Sequence, residues 1–234
     1  MRIWHISDTH MHHHLLKIPE GIDIVIHSGD ATNYLDPIKN EKEMIEFLAW
    51  YSQLPIPNKV FVAGNHDTSI EKGFVTRKSI EDLGIIYIYM ETKEVAGLKI
   101  WGSPYCPRYG NWAFMKDRAS MMKKVWDFMD PEADIIVTHT PAYGFLDWSD
   151  KRVVDNINMV SYTTYEHTGC KSLYKKIKIN KPKLHCFGHI HNTSEVWNAG
   201  VFKPVDFETL FSNGACCKDR AKDRMKYNGN IIEL

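Results

Sequence analysis

A chain of 234 residues with 44% hydrophobic residues is long enough for the core of one α/β domain, and we expect a single domain over residues 1–234. Lys plus Arg and Asp plus Glu both number 29, so the chain lacks the broad positive field of non-specific nucleic-acid binders, which disfavours such partners without excluding a local basic strip. No apolar run reaches the ~18 residues that a membrane span needs.

The first half of the chain alternates predicted strands with a predicted helix. Four short apolar runs rich in β-branched residues predict buried strands: Arg2–Ile6, Ile22–Ile26, Lys59–Val62 and Ile85–Met90. Residues Glu41–Leu54 carry apolar side chains at helical spacing and stop before Pro55, so they predict a helix. Strand, helix and strand joined by short connections favour parallel pairing and a layered α/β architecture.

The second half follows the same logic less regularly. Val95–Trp101 predicts a strand that carries a turn at Ala96-Gly97, and Asp117–Met129 predicts an amphipathic helix. Residues 141–169 are irregular and are expected to form a loop or lid over a site. Further strands are predicted at Asp134–Val137, Lys183–Phe187, Thr209–Ser212 and Asn230–Leu234.

The cysteines and the first residues indicate a compartment. The five cysteines lack the pair spacing of a metal site, which favours free thiols in a reducing cytoplasm. The opening residues MRIWHISDTH have no long apolar stretch after a basic start, so no signal peptide is expected. We therefore expect a cytoplasmic protein.

Five polar clusters each follow a predicted strand. Because parallel strands deliver their C-terminal loops to one edge of a sheet, these side chains are expected to converge on one pocket. Residues two apart in an extended segment also point the same way. The clusters are Asp8-Thr9-His10, Gly29-Asp30, Gly64-Asn65-His66-Asp67, Thr138-His139-Thr140-Pro141 and Gly188-His189-Ile190-His191.

The donor types in these clusters indicate a metal centre. Carboxylate, imidazole and amide oxygen without a thiolate suit Mn, Fe, Zn or Ni. The seven candidate ligands exceed what one ion needs, whereas two ions sharing a carboxylate would use them all. The candidates are Asp8, His10, Asp30, Asn65, His139, His189 and His191.

The ordered series D-x-H, GD, GNHD, a lone His and GHxH resembles the calcineurin-like metallophosphoesterase superfamily. The stretches GLKIWGSPYCPRYGNWAF, THTPAYGFLD, HTGCKSL and KLHCFGHIH are similar to its MPPED-like (UPF0046) branch, and the likeness covers nearly the whole chain. The resemblance implies a two-sheet α/β sandwich flanked by helices, with two metals at the C-terminal strand edge. It implies ligation of one metal by Asp8, His10, Asp30 and His191, and of the other by Asp30, Asn65, His139 and His189.

The implied activity is metal-dependent hydrolysis of a small, nucleotide-like phosphoester, with phosphodiesters ahead of monoesters. Asp30 would bridge two divalent cations, with Mn²⁺ favoured over Fe, Zn or Ni, which activate water for attack on phosphorus. His66, which the resemblance excludes from the ligands, would protonate the leaving oxygen or stabilise the transition state. The alternatives are a nuclease or phosphoprotein phosphatase with the same chemistry, and a metal- and nucleotide-binding scaffold with negligible turnover. The oligomeric state is not legible in the sequence.

Several further residues leave two interpretations open. Asp67 either orients His66 or caps the turn. Trp112, after the Gly-Ser-Pro turn, either lines a base-binding pocket or packs in the core. His167 lies in the irregular segment and is a candidate for substrate contact. Three histidines inside predicted strands are expected to be core or supporting residues: His5, His27 and His185.

Overall fold

The computed structural model describes residues 1–118, 120–155, 160–193, 195–218 and 225–234. Its first strands and helices are β1 (Arg2–Ile6), β2 (Ile24–His27), α1 (Pro37–Ser52), β3 (Asn58–Phe61), α2 (Thr68–Glu71), α3 (Arg77–Glu81), β4 (Ile86–Tyr87), β5 (Glu91–Val95), β6 (Leu98–Ser103), β7 (Cys106–Pro107) and β8 (Met115–Lys116). They are followed by α4 (Ser120–Asp127), β9 (Ile135–Thr138), β10 (Trp148–Asp155), β11 (Val160–His167), α5 (Lys171–Asn180), β12 (Leu184–Phe187), β13 (Gly200–Phe202), β14 (Leu210–Asn213) and β15 (Asn230–Glu233).

Most strands belong to two sheets. The first sheet has the order β15-β1-β2-β3-β4, in which β1 to β4 are parallel and β15 is antiparallel to β1. The second has the order β13-β14-β12-β9-β6-β5, with four parallel central strands and an antiparallel strand at each edge. The predicted parallel pairing and α/β class are confirmed.

The core lies in three layers because successive side chains of a buried strand point to opposite faces. In β1, Ile3 packs in a cluster that joins the two sheets, whereas Trp4 packs in the cluster beneath α1. In β9, Ile135 lies between the sheets and Ile136 packs beneath α4 and α5. The resulting architecture is a β-sandwich covered by helices on both outer faces.

Helix α1 begins earlier than its apolar pattern predicts. Asp36 caps it by accepting hydrogen bonds from the amides of Ile38 (3.1 Å) and Lys39 (2.9 Å), with Pro37 in the first turn. The buried Tyr51 hydroxyl donates to carbonyl oxygens of β2 and β3 and so fixes the helix on the first sheet.

Two regions differ from the sequence-based expectations. Ala96 and Gly97, both at positive φ, form the turn of a hairpin between β5 and β6, so the predicted Val95–Trp101 strand is two antiparallel strands. The segment expected as an irregular loop contains a second hairpin, β10–β11, and its residues 156–159 lie outside the described part. None of the helices in the described ranges is both apolar enough and long enough to cross a membrane.

The strand histidines are buried within the core, as expected. His5 lies between the sheets, where Nδ1 is 2.7 Å from the hydroxyl of Ser212 and Nε2 is 2.9 Å from that of Ser28. His185 Nε2 lies 2.8 Å from the Thr138 hydroxyl. Burial lowers the pKa of His5, His27 and His185 from 6.5 to about 3.

Because burial lowers the pKa of these three histidines, we predict that acid destabilises the fold. Below pH 6.5 the unfolded chain protonates them, while the folded chain keeps them neutral down to about pH 3. Because the unfolded state binds more protons in this window, stability falls as the pH falls, by about 1.4 kcal/mol per pH unit for each histidine. Urea unfolding of chelator-treated protein at pH 7.5, 6 and 5 measures the slope. The His185→Gln variant should reduce it by one histidine's share, and an unchanged slope would contradict this explanation.

Candidate metal centre

All seven predicted ligands lie at the C-terminal ends of parallel strands from both sheets. Asp8 and His10 follow β1, Asp30 follows β2 and Asn65 follows β3. From the second sheet, His139 follows β9, and β12 is followed by the pair His189 and His191. The edge of the β-sandwich therefore brings together residues that are up to 183 positions apart.

One group of donors surrounds Asp8. His191 Nε2 lies 2.9 Å from Asp8 Oδ1 and 3.3 Å from His10 Nε2. The ligand atoms of these three residues all lie within 4.8 Å of one another. The amide of His189 donates to both Asp8 oxygens, at 3.1 and 2.9 Å, and so ties the end of β12 to the end of β1.

A second group surrounds the buried Asp30. His139 Nε2 lies 3.2 Å from Asp30 Oδ1, and 3.0 Å from the side-chain oxygen of Asn65. The other carboxylate oxygen of Asp30 lies 4.0 Å from His10 Nε2 and 3.9 Å from His66 Nε2. Asp30 thus stands between the His10 side and the His139 side of the centre.

Hydrogen bonds to carbonyl groups set the imidazole tautomers. His10 Nδ1 is 2.9 Å from the Thr32 carbonyl oxygen, and His139 Nδ1 is 2.8 Å from that of Ser28. Because a carbonyl only accepts, Nδ1 carries the proton and the Nε2 of each neutral ring presents a lone pair. These lone pairs face carboxylate and amide oxygens, so acceptors face acceptors. A cation between them removes that conflict, and the donor set therefore fits divalent metal ions.

The electrostatics of the buried centre also favour positive charge. Burial alone raises the pKa of Asp30, but His139 and His66 nearby hold it well below the usual value. Burial lowers the pKa of His139, but Asp30 outweighs this and raises it to about 9. Positive charge beside His139 Nε2, whether a proton or a metal cation, therefore removes the conflict between the facing acceptors at Asp30.

The ligand loops adopt a strained backbone conformation. Four of the seven predicted ligands have positive φ angles: Asp8 (51°), His10 (43°), Asp30 (58°) and His189 (70°). Non-glycine residues rarely adopt this left-handed conformation, and such strain persists where the surrounding structure enforces it. The concentration of these angles in one cluster marks it as a functional site.

Two glycines beside predicted ligands, Gly64 and Gly188, are needed because no side chain would fit at their positions. Gly29, which precedes Asp30, has a positive φ of 106°, but Gly64 and Gly188 do not have positive φ. A Cβ on Gly188 would collide with the Asp8 carboxylate, and one on Gly64 would collide with that of Asp30. These glycines allow two loops to approach one another closely at the centre.

Asp67 joins the loop after β3 to the loop after β2. Its buried carboxylate accepts hydrogen bonds from the amides of Gly64 (2.7 Å), Asp30 (3.0 Å), Ala31 (3.1 Å) and Thr32 (3.2 Å), and from the Thr32 hydroxyl (2.9 Å). Its described contacts go to these loops and not to the His66 ring. Of the two interpretations left open, the loop-capping role is therefore the one that the geometry supports.

Aromatic side chains flank the centre. The Trp112 ring lies 4.1 Å from the His66 ring, with an interplanar angle of 32°. Tyr109 lies 5.4 Å from the ring of His189, and its hydroxyl accepts a hydrogen bond from the Asn65 side chain at 3.2 Å. Trp112 thus contacts the site itself and does not act only as a core residue.

The sequence-based reasoning missed one candidate donor, Cys106. Its sulfur lies within 4.8 Å of ligand atoms of His139 and His189, and the residue is fully buried. It was excluded because it has no cysteine or histidine partner nearby in sequence. The one available signal was its position shortly after β6, because β6 pairs directly with β9.

The fold and this centre define a protein of the calcineurin-like phosphoesterase class. The model of that family, described as "Calcineurin-like phosphoesterase", matches residues 1–193. The chain belongs to this family of metal-dependent phosphoesterases, and the resemblance noted from the motifs is confirmed.

The curated relatives match the expected branch. "Metallophosphoesterase domain-containing protein 1" of Homo sapiens is 28% identical over an alignment of 235 positions. The alignment covers 91% of this chain and 65% of that protein. "UPF0046 protein C25E10.12" of Caenorhabditis elegans is 31% identical, with 98% of this chain and 79% of that protein covered. "UPF0046 protein K07C11.7" of the same organism is 29% identical, with coverages of 91% and 68%. The chain thus spans about two thirds of the human relative's length.

The Asp67 hydrogen bonds predict a large stability effect. Asp67→Ala leaves several buried donors without an acceptor, at roughly 1–3 kcal/mol each, so we expect a loss of at least about 3 kcal/mol in the free energy of unfolding. Urea unfolding at pH 7.5 of chelator-treated protein measures it. Asp36→Ala, which removes an exposed helix cap, is the matched control and should cost about 1 kcal/mol. Equal losses in the two variants would contradict the role of Asp67 in joining the two loops.

Proposed function

We propose that this chain hydrolyses phosphoesters, with phosphodiesters favoured over monoesters, by means of two divalent cations. The observation that carries the proposal is the pair of imidazole lone pairs of His10 and His139, fixed by carbonyl partners, that face the Asp30 carboxylate. One cation would be held by Asp8, His10, Asp30 and His191, and the other by Asp30, Asn65, His139 and His189.

A two-metal site lowers the pKa of water and neutralises phosphoryl oxygens, so that a nucleophile can approach phosphorus in line with the leaving group. The protein's own part is to place these charges and to supply a proton. The buried carboxylate of Asp30 is shared between both sides of the centre. The backbone amide of Asp30 donates to the Asp67 carboxylate, and the Asp30 carboxylate accepts from the amide of His66, so the loop stays in place while substrate binds and leaves.

His66 is the proposed general acid. Its side chain is 22% exposed, and Nε2 lies 3.9 Å from Asp30 Oδ2, so the ring borders both the centre and the solvent. Nδ1 lies 3.2 Å from the Asn33 carbonyl oxygen, and Trp112 covers one face of the ring. These contacts hold the imidazole where it can donate a proton to the oxygen of a departing alcohol.

A nucleotide is the proposed substrate class. Tyr109, which is 55% exposed, and the half-buried Trp112 present aromatic surfaces on two sides of the centre. Nucleobases stack on such surfaces, with about 1–3 kcal/mol per base. Tyr109 and Trp112 therefore support a substrate in which a nucleoside carries the reacting phosphate.

Mn²⁺ is the proposed metal at the Asp8 side, where the donors are carboxylate and imidazole. At the other side, the Cys106 thiol near His139 and His189 adds a soft donor that suits Zn or Fe better than Mn. The metal screen should therefore include single ions and mixed pairs.

The reaction class is tested with bis-p-nitrophenyl phosphate and p-nitrophenyl phosphate. Protein stripped with chelator should be inactive, and added Mn²⁺, or Mn²⁺ with Zn²⁺ or Fe²⁺, should restore turnover with the diester preferred. Single-stranded DNA and a phosphopeptide should be poor substrates. Tight nucleotide binding without turnover under any metal condition would contradict the proposed hydrolase. It would indicate a metal- and nucleotide-binding scaffold instead.

His66→Ala separates proton donation from metal binding. If the imidazole supplies a proton, the variant should bind the same number of metal ions and lose about 10²- to 10⁴-fold in kcat. Metal content by emission spectroscopy and kcat on the diester are the two readouts. His14→Ala, in an exposed histidine outside the centre, is the control and should change neither. Loss of an ion from the His66 variant would make His66 a ligand.

A further inference from the structure

A cavity with a volume of about 560 Å³ lies beside the metal centre. Its wall includes Pro107, Tyr143, the end of β11 and the start of α5. Pro107 directly follows Cys106, whose sulfur is within 4.8 Å of donor atoms of the centre, and Tyr143 lies on the loop that begins at His139. These two residues place the cavity close to the centre.

His167 is held in the cavity wall by a buried carboxylate. Asp147, whose side chain is fully buried, lies 2.5 Å from His167 Nδ1 and also accepts hydrogen bonds from the amides of Gly144 and Gly169. The His167 ring packs on Trp148 with 3.7 Å between the ring centroids. These contacts fix the imidazole and use Nδ1, which leaves Nε2 as the polar atom available to a ligand.

Two cationic side chains complete this wall. Arg118 donates one hydrogen bond to the Thr168 carbonyl oxygen at 3.2 Å, and Lys171 Nζ lies 4.9 Å from the Tyr143 ring centroid. Across the described ranges, neither forms an ion pair with a carboxylate. Glu166 is the acidic residue among those that line the cavity, so the two cationic side chains outnumber it. The buried Asp147 carboxylate lies behind His167 and contacts that ring and two amides.

The start of α5 adds to the positive potential. This ten-residue helix begins at Lys171, its N-cap Cys170 makes no side-chain capping hydrogen bond, and its first turn contains no acidic residue. Helix N-termini carry partial positive charge and amide donors that suit phosphate oxygens. Both Cys170 and Lys171 line the cavity, so this charge acts on its contents.

We propose that the cavity binds a second phosphate group of the substrate, while the phosphodiester to be hydrolysed lies at the metal centre. The inference rests on the proposed function and narrows its substrate class to compounds with a separate terminal phosphate. A phosphate dianion suits a guanidinium, an ammonium and a helix start together. A groove lined by Lys123 and Lys175 continues beyond Arg118 and Lys171, and its occupation would instead indicate a longer polyanion.

Binding to metal-free protein tests the cavity without relying on catalysis. Inorganic pyrophosphate is titrated into chelator-stripped protein at low salt, with calorimetry as the readout. Arg118→Gln and Lys171→Gln should each weaken binding about tenfold, which corresponds to about 1.4 kcal/mol. Lys178→Gln, an exposed lysine of α5 outside both cavity and groove, is the matched control and should bind as the parent does. Unchanged affinity in the Arg118 and Lys171 variants would overturn the proposal. An equal loss in Lys175→Gln would overturn it in favour of a polyanion along the groove.

Kinetics then test the link between cavity and centre. The two substrates are a nucleoside 5′-(p-nitrophenyl phosphate) and the same diester with an added 3′-phosphate. Arg118→Gln should raise KM about tenfold for the 3′-phosphorylated compound, with kcat retained, and leave KM for the plain diester unchanged. An equal change for both compounds would overturn the proposal. Inactivity of the parent protein on every diester would reject the proposed function, whereas the pyrophosphate titration would still decide whether the cavity binds phosphate.

Discussion

The metal centre depends on the carboxylate of Asp67, which joins two loops that enter it from neighbouring strands. Four amides and one hydroxyl donate to this single side chain, and three of those amides belong to the segment that begins at Asp30. Burial, and then the charge of Asp30, raise the pKa of Asp67 to about 6, so ionisation of the carboxylate is opposed by its surroundings. The hydrogen bonds offset that cost and fix the position of the Asp30 carboxylate.

The two sheets meet at the same place through a similar arrangement. The amide of His189 donates to both oxygens of Asp8, so the end of β12 in the second sheet is tied to the end of β1 in the first. His5 bridges the sheets one step deeper by contacting serine hydroxyls on both sides. Because hydrogen bonds hold the two sheets together at this edge, the ligands keep positive φ angles that would otherwise relax. The centre is thus preorganised by the scaffold before any ion binds.

The parts of the fold that the sequence predicts are those with strong, local patterns. Five of the parallel strands, β1, β2, β3, β9 and β12, are apolar runs that are each followed by a polar cluster. Both these strands and the meeting of Asp8, Asp30 and His139 could therefore be predicted. The β10–β11 hairpin was missed because large apolar side chains such as Trp148 and Tyr162 are exposed. Its sequence therefore lacks the apolar pattern of a strand with a buried face. Helix α5 was missed because it buries only Leu173 and Ile177. Cys106 reaches the centre through tertiary packing, for which sequence spacing has no signal.

The central claim is that two cations share Asp30, and metal stoichiometry tests it most directly. Chelator-stripped protein is titrated with Mn²⁺ while bound metal and turnover of bis-p-nitrophenyl phosphate are measured on the same samples. We predict that turnover reaches its plateau only when two equivalents are bound, and that Asp30→Asn weakens the binding of both. A plateau at one equivalent, or full turnover in Asp30→Asn, would contradict the shared-carboxylate centre.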